Sequence, residues 1–235
     1  MKKLLFLLMA LPMFCGCSSD NEESEPIPEV NLSFTKEQIS IPVKSESILS
    51  INGVKPDDCN VYAEDEHIAY ASVYDGKISI DARHVGQTKI FAEHKGKKAE
   101  CTVDVTSLVN YIGNPVLDFG ASKEEVKKKI KGEVIEESED RLQIKEDFEY
   151  PIYVHYHFSD NKLECVYSEI NVNTSSVNIL NSLIERYEIL SSESKVHWFA
   201  YPSKFIVREN PRGGNGGYAV RYAKDKGTMA KYYQI

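Results

Sequence analysis

Catalytic signatures are the first thing this sequence lacks. It contains no G-x-S-x-G elbow, no H-E-x-x-H helix motif and no glycine-rich loop closed by Lys-Ser/Thr. Those absences remove the common hydrolase, zinc-peptidase and P-loop readings. The one glycine run, Arg212-Gly213-Gly214-Asn215-Gly216-Gly217, is followed by the strand-like Tyr218 to Ala223 and reads as a hairpin loop. Cysteine is scarce, five in 235 residues, and Cys59, Cys101 and Cys165 show no C-x-x-C spacing, so a zinc ribbon or dithiol redox motif is excluded. Positive charge is in deficit, with 28 Lys and Arg against 36 Asp and Glu, a net of -8. A polyanion such as nucleic acid is repelled by that balance. The only lysine run, Lys127-Lys128-Lys129, is flanked by Glu124, Glu125 and Glu133 and reads as a solvated helix face. Long apolar runs are missing after residue 13, and one tryptophan, Trp198, serves the whole chain.

What is present begins with a leader. Lys2 and Lys3 precede the apolar Leu4 to Met13, then Phe14-Cys15-Gly16-Cys17. A basic start and a short greasy core make a secretory signal. The run is about half of the roughly 20 residues that span a bilayer. Gly16-Cys17 resembles the lipobox of bacterial lipoproteins, in which cleavage precedes a cysteine carrying a diacylglycerol thioether. Phe14 departs from the usual leucine of that motif. Cys15 is the rival anchor, although cleavage there would place bulky Phe14 at the cut. The resemblance implies lipidation of Cys17, a signal peptide over 1–16 and a membrane partner. Ser18 to Glu29 is polar, acidic and holds two prolines, too poor in apolar surface to fold, and reads as a tether over 17–30. It also resembles the acidic export signal of surface lipoproteins of Bacteroidota type, which implies an outer-membrane anchor and an outward-facing chain. A spacer facing the periplasm fits the same composition. Removal of Lys2 and Lys3 takes the net charge from -8 to -10.

From Asn31 to Thr106 apolar residues alternate at period two: Ile39, Ile41 and Val43; Ile78, Ile80 and Ala82; Thr88, Ile90 and Ala92; Ala99, Cys101, Val103 and Val105. Gly53, Asp75-Gly76, Gly86 and Lys95-Gly96 punctuate them. Short alternating strands without a helical run predict an antiparallel sandwich over 31–106. Ile68 to Ile80, Val85 to Ala92 and Lys97 to Val105 resemble the bacterial Ig-like domain, group 2. That resemblance covers roughly a third of the chain and implies a spacer or adhesion module without shared catalytic residues. Tyr62 stands where the family often has tryptophan. Cys59 and Cys101 share inward parity with Val61 and Val103, which fits a disulfide and fits two separate buried thiols equally.

From 110 to 235 the pattern changes to α+β. Ser122 and Glu125 form an S-x-x-E capping box for a helix ending near Lys131, with Gly132 as its stop. Strands are expected over Arg141 to Ile144, Tyr150 to Phe158 and Leu163 to Val172, with Ser159-Asp160-Asn161 as a turn. Thr174-Ser175-Ser176 caps a second helix that presents Val177, Leu180, Leu183, Ile184 and Tyr187 on one face. Strands follow over Val196 to Tyr201, Lys204 to Arg208 and Tyr218 to Ala223. Helix then strands, twice, suggests two helices covering one face of an antiparallel sheet. Identity between the halves is too thin to establish duplication. Phe119 to Ser122 and Phe158 to Leu163 distantly resemble small α/β lipoprotein domains of outer-membrane assembly factors, a likeness that transfers no residue role.

His155 and His157 share a strand face and would start a zinc site only with a third ligand such as His197 or Glu149. No cluster completes it, so no metal and no cofactor are expected. A Cys165 nucleophile would need a positioned histidine that the sequence does not identify. Trp198, Tyr201, Tyr218, Tyr222, Tyr232 and Tyr233 concentrate in the C-terminal half. Such residues are core in most strands and stack on sugar rings when exposed. Trp198, Tyr232 and Tyr233 are therefore the candidate ligand-binding residues, and the net charge favours a neutral or cationic ligand. The expectation is a non-enzymatic envelope lipoprotein that binds a polysaccharide or a surface protein, or else a periplasm-facing accessory of an envelope complex.

Overall fold

Residues 31–148, 151–170, 176–193, 196–202, 204–211 and 217–233 are described by the computed structural model. The signal, Cys17, the acidic tether, Glu149, the Thr174 cap and most of the glycine run lie outside the described residues. In the N-terminal part the strands are β1 (Ser33–Phe34), β2 (Gln38–Pro42), β3 (Glu46–Leu49), β4 (Ile51–Asn52), β5 (Asn60–Ala63), β6 (Ala69–Tyr74), β7 (Lys77–Ala82), β8 (Gly86–His94) and β9 (Lys97–Thr106). They form a four-stranded sheet in the order β2-β9-β8-β5, a three-stranded sheet β3-β7-β6 and a small β1-β4 ribbon. The period-two residues are the core: Ile78, Ile80, Ala82, Ile90, Ala92, Cys101 and Val103 are all fully buried. Asp75-Gly76 and Lys95-Gly96 close two hairpins with both central residues at positive φ. That is the handed turn that matches strand twist. Tyr62 is not part of this core. It pairs with Phe91 on the outer side of β5 and β8, and its hydroxyl donates to Glu93 at 2.7 Å.

Cys59 and Cys101 are free thiols. Shared parity does not bring them together. Asn60 pairs with Glu93, which puts Cys59 level with His94, whereas Cys101 pairs with Ile90. They lie two strands apart laterally and four residues apart lengthwise, on the order of 15 Å by standard sheet spacing, far beyond the roughly 7 Å limit for a bridge.

The C-terminal part carries α1 (Lys123–Lys129), β10 (Glu133–Glu137), β11 (Arg141–Glu146), β12 (Ile152–Ser159), β13 (Lys162–Ile170), α2 (Ser176–Ile184), β14 (Glu188–Glu193), β15 (Val196–Tyr201), β16 (Phe205–Pro211), β17 (Tyr218–Ala223) and α3 (Lys226–Tyr233). Its eight strands form one antiparallel sheet, β10-β11-β12-β13-β17-β16-β15-β14. A helix followed by a four-stranded meander thus occurs twice, and the meanders join at β13 and β17. Ser122 makes the capping box with Glu125, and Val126 anchors α1 in the core.

Three expectations change. On α2, Val177 is 58% exposed while Ile179, Ser182 and Leu183 are buried. The buried stripe is offset because its polar member, Ser182, accepts from the Tyr111 amide of the incoming chain. Next, β10 and β14 were not expected. They are the sheet edges, and β10 is exposed at every position, which suits a charged edge strand and hides the alternation. Finally, a third helix, α3, lies on the opposite face from α1 and α2. It packs on Cys165 and Ala223 through Met229, whereas α1 and α2 pack on the alternate residues Val166 and Tyr222.

The junction between the two cores is bonded along its length. One Glu185 carboxylate oxygen accepts from Ser107 Oγ at 2.6 Å and the Leu108 amide at 3.2 Å. Val85 N donates to Glu185 O at 2.7 Å. Tyr201, packed against both cores, donates to Asp65 at 2.9 Å, and Lys204 reaches the same carboxylate.

Candidate functional site

Pairing register decides which side chains meet. On the face that α1 and α2 cover, β12, β13, β17 and β16 bury Val154, Tyr156, Val166, Val220, Tyr222 and Val207. The alternate residues make the other face. A single rung runs across it: Gln143 opposite His155, His155 opposite Tyr167, Tyr167 opposite Arg221, Arg221 opposite Arg208, and Arg208 opposite Trp198. The next rung holds His157, Cys165, Ala223 and Ile206, and α3 sits over it.

This places the candidate aromatics together, though not as free surface rings. Trp198, Tyr232 and Tyr233 are half-buried and pack on the Cys165, Ala223 and Met229 cluster. Tyr233 Oη donates to the Val166 carbonyl at 2.9 Å. Tyr232 lies 5.9 Å from the His157 ring. Tyr232 and Tyr233 were picked as rings free to stack on a ligand, and α3 instead folds them back on the sheet.

The centre of the rung is a cross-strand pair of arginines. Arg208 lies over Trp198 with its Cζ 5.4 Å from the ring centroid, and Arg221 lies 5.5 Å from Tyr167 and 5.1 Å from Tyr233. Stacked guanidinium groups of this kind gain about 0.5–2 kcal/mol each. Among the described residues no carboxylate lies within ion-pairing distance of either, and Arg208 Nε and Arg221 Nε and Nη1 are buried without a hydrogen-bond acceptor. Burial, and after it the Arg221 charge, pulls the Arg208 guanidinium below its ordinary range. No motif marks these two residues. Only the register of β16 on β17 joins them, which is why sequence reasoning missed them.

The histidines do not assemble a metal site. His155 and His157 do share this face, but His197 alternates with Trp198 and so points to the other one, where it meets Glu209 at 3.9 Å. Among the described residues no three candidate ligands converge. Burial first, then Arg141, lowers the His157 pKa. Cys165 is fully buried under α3, and burial pushes its thiol up to about 11, so it is a poor nucleophile.

On the helix-covered face, Ser192 Oγ lies 2.8 Å from His197 Nδ1 and His197 Nε2 lies 3.9 Å from Glu209. The trio has serine, histidine and carboxyl in order. At 3.9 Å the carboxyl does not hydrogen-bond the imidazole, so the oriented serine–histidine–carboxylate chain is not formed.

No protein-family model matches the chain, and no curated protein matches it. Solved structures with partial likeness include domains 5–6 of the S-layer protein SbsC, with 13% identity, 83% of each chain covered and a TM-score of 0.29. A chimeric titin Z1Z2 tandem covers 84% of this chain and 87% of its own at 13% identity and a TM-score of 0.30. The D00–D0 domain of intimin covers 83% and 87% at 12% identity and a TM-score of 0.24. The chain spans only 21% of the SbsC structure of domains 1–6, at 11% identity and a TM-score of 0.30. Likeness this slight carries no weight, and the N-terminal sandwich and the eight-stranded sheet stand on their own strand pairings.

Proposed function

We propose that this chain is a lipid-anchored, non-enzymatic protein of the bacterial cell surface. Residues 31–106, as an Ig-like module, hold residues 110–235 away from the membrane, and the latter bind a glycan or a surface protein. The lipobox-like Gly16-Cys17 supports the anchor, and the acidic Asp20 to Glu29 supports outward display. The observation that carries the binding reading is the convergence of Trp198, Tyr232 and Tyr233 on one sheet face with Tyr167. Half-buried rings held by packing lose little freedom on contact with a ligand, and that favours binding. The bonded junction suits a stiff stalk.

The test is protease treatment of intact cells. Digestion of the chain is expected, and protection would overturn surface display in favour of a periplasm-facing accessory. Cys17→Ser is expected to abolish fatty-acid labelling, and label retained in that variant would move the anchor to Cys15.

A further inference from the structure

We propose that Arg208 and Arg221 form an anion site for an acidic saccharide, taking its carboxylate or sulfate between Trp198 and Tyr167. The inference deepens the glycan reading above and rests on it for the sugar, but not for the anion.

Four observations carry it. The two guanidinium groups are direct cross-strand partners, an arrangement in which like charges destabilise the sheet. They are held there by rings on both outer sides, Trp198 next to Arg208, and Tyr167 and Tyr233 next to Arg221. Three of their nitrogens are buried without an acceptor among the described residues, and a buried donor left unmatched is destabilising, more so when charged. A protein with eight more acidic than basic residues nonetheless sets no described carboxylate against this pair. A bound oxyanion relieves both penalties at once, since it accepts from the guanidinium nitrogens and screens the repulsion, and it suits the flat guanidinium fork bidentately. The flanking rings then decide the class. A sugar acid offers an apolar ring face for Trp198 and Tyr167 and places its charged group one ring-width away, close to the roughly 4.8 Å between neighbouring strands. This revises the expectation of a neutral or cationic ligand from net charge, because net charge says nothing about a local pair inside one Debye length, about 8 Å at physiological salt.

The experiment is isothermal titration of the detergent-solubilised full chain with four probes at 150 mM salt. These are a sulfated heparin hexasaccharide, a hexagalacturonate, the neutral maltohexaose, and inorganic sulfate. Binding of at least one acidic oligosaccharide is expected, about tenfold or more tighter than maltohexaose and than sulfate alone. Arg208→Gln and Arg221→Gln should each weaken that binding about tenfold or more. Arg→Lys at either place should recover only part of it, because lysine keeps the charge and loses the fork. If a glutamine variant fails to fold, judged by thermal melting, the Lys variants and the probe comparison on the unaltered chain still decide the matter. Equal binding of acidic and neutral oligosaccharides would overturn the anion site while leaving the glycan reading intact. Sulfate binding as tight as either acidic oligosaccharide would overturn the sugar and with it the glycan reading. Acidic binding untouched by both arginine variants, or no binding by any probe, would overturn the site itself.

Discussion

Glu209 is a buried carboxyl on the core side of the eight-stranded sheet, 4% exposed, with His197 Nε2 3.9 Å away. Burial moves its carboxyl up to about 7, against an ordinary 4.5. A pKa raised in the folded state means that the folded chain binds a proton more tightly than the unfolded one. The associated stability is complete below about pH 4.5 and is lost as pH rises through 7. Glu209→Gln keeps the shape and removes the titration. It should be close to neutral at pH 5 and stabilising at pH 8.5, by at most about 3 kcal/mol from the size of the shift. Urea denaturation at the two pH values checks this, and an equal effect at both would sink it. Glu146 is displaced in the same direction. It is 7% exposed and raised by burial, and the Asn114 amide donates to it at 3.2 Å.

At the scale of elements, α1 is a helix of seven residues, too short to persist by propensity. Its capping box and the buried Val126 hold it. Ser122→Ala should therefore cost about 1 kcal/mol, while Val177→Ala on the exposed side of α2 should stay within about 0.5 kcal/mol. Equal losses in chemical denaturation would contradict the placement of both faces. The contrast marks what the sequence could tell. Capping residues and two-residue turns act locally, so Ser122-Glu125, Asp75-Gly76, Lys95-Gly96 and Asp160-Asn161 announced themselves. Inward alternation did the same for β7, β8 and β9. Elements whose logic is tertiary stayed hidden. Buried Ser182 disguises the true face of α2, because its place depends on the Tyr111 amide 71 residues away in sequence. The α3 segment Lys226–Tyr233 has little apolar periodicity, and Asp225 caps it by accepting from the Thr228 amide at 2.7 Å. The Arg208 and Arg221 pair exists only through the register of β16 on β17. Parity is likewise what removes His197 from His155 and His157.

For the molecule as a whole, the question is how firmly the two cores are joined. Each has its own apolar cluster, with Tyr201 against both, and residues 31–235 form one compact unit. The join contains a stack of two imidazoles, His67 on His84, with centroids 3.8 Å apart and planes 6° from parallel. His67 Nε2 lies 3.0 Å from the Arg186 carbonyl and His84 Nδ1 lies 2.7 Å from the His67 carbonyl. Burial above all lowers the His84 pKa, helped by the charges of His67 and Arg83. The other charges near the stack are Glu188, 3.7 Å from His67 Nδ1, the buried Arg186, and Asp65, which Lys204 and Tyr201 bind. Glu188 is 56% exposed and offsets little. A folded-state pKa depressed in a histidine means that stability is complete above about 6.5 and is lost as pH falls below it. Acid should therefore loosen the join before it unfolds either core. Hydrogen exchange at the Val85, Leu108 and Val109 amides, corrected for intrinsic rate, should rise from pH 7.5 to pH 5. Exchange within β8 and β13 should change far less. His84→Phe keeps a flat ring on His67 and removes one titrating group, so it should flatten the response while weakening the join at neutral pH. A join equally tight at pH 5 and pH 7.5 would mean that the stacked pair bears no part of the connection and that the Glu185 and Asp65 bonds hold it alone.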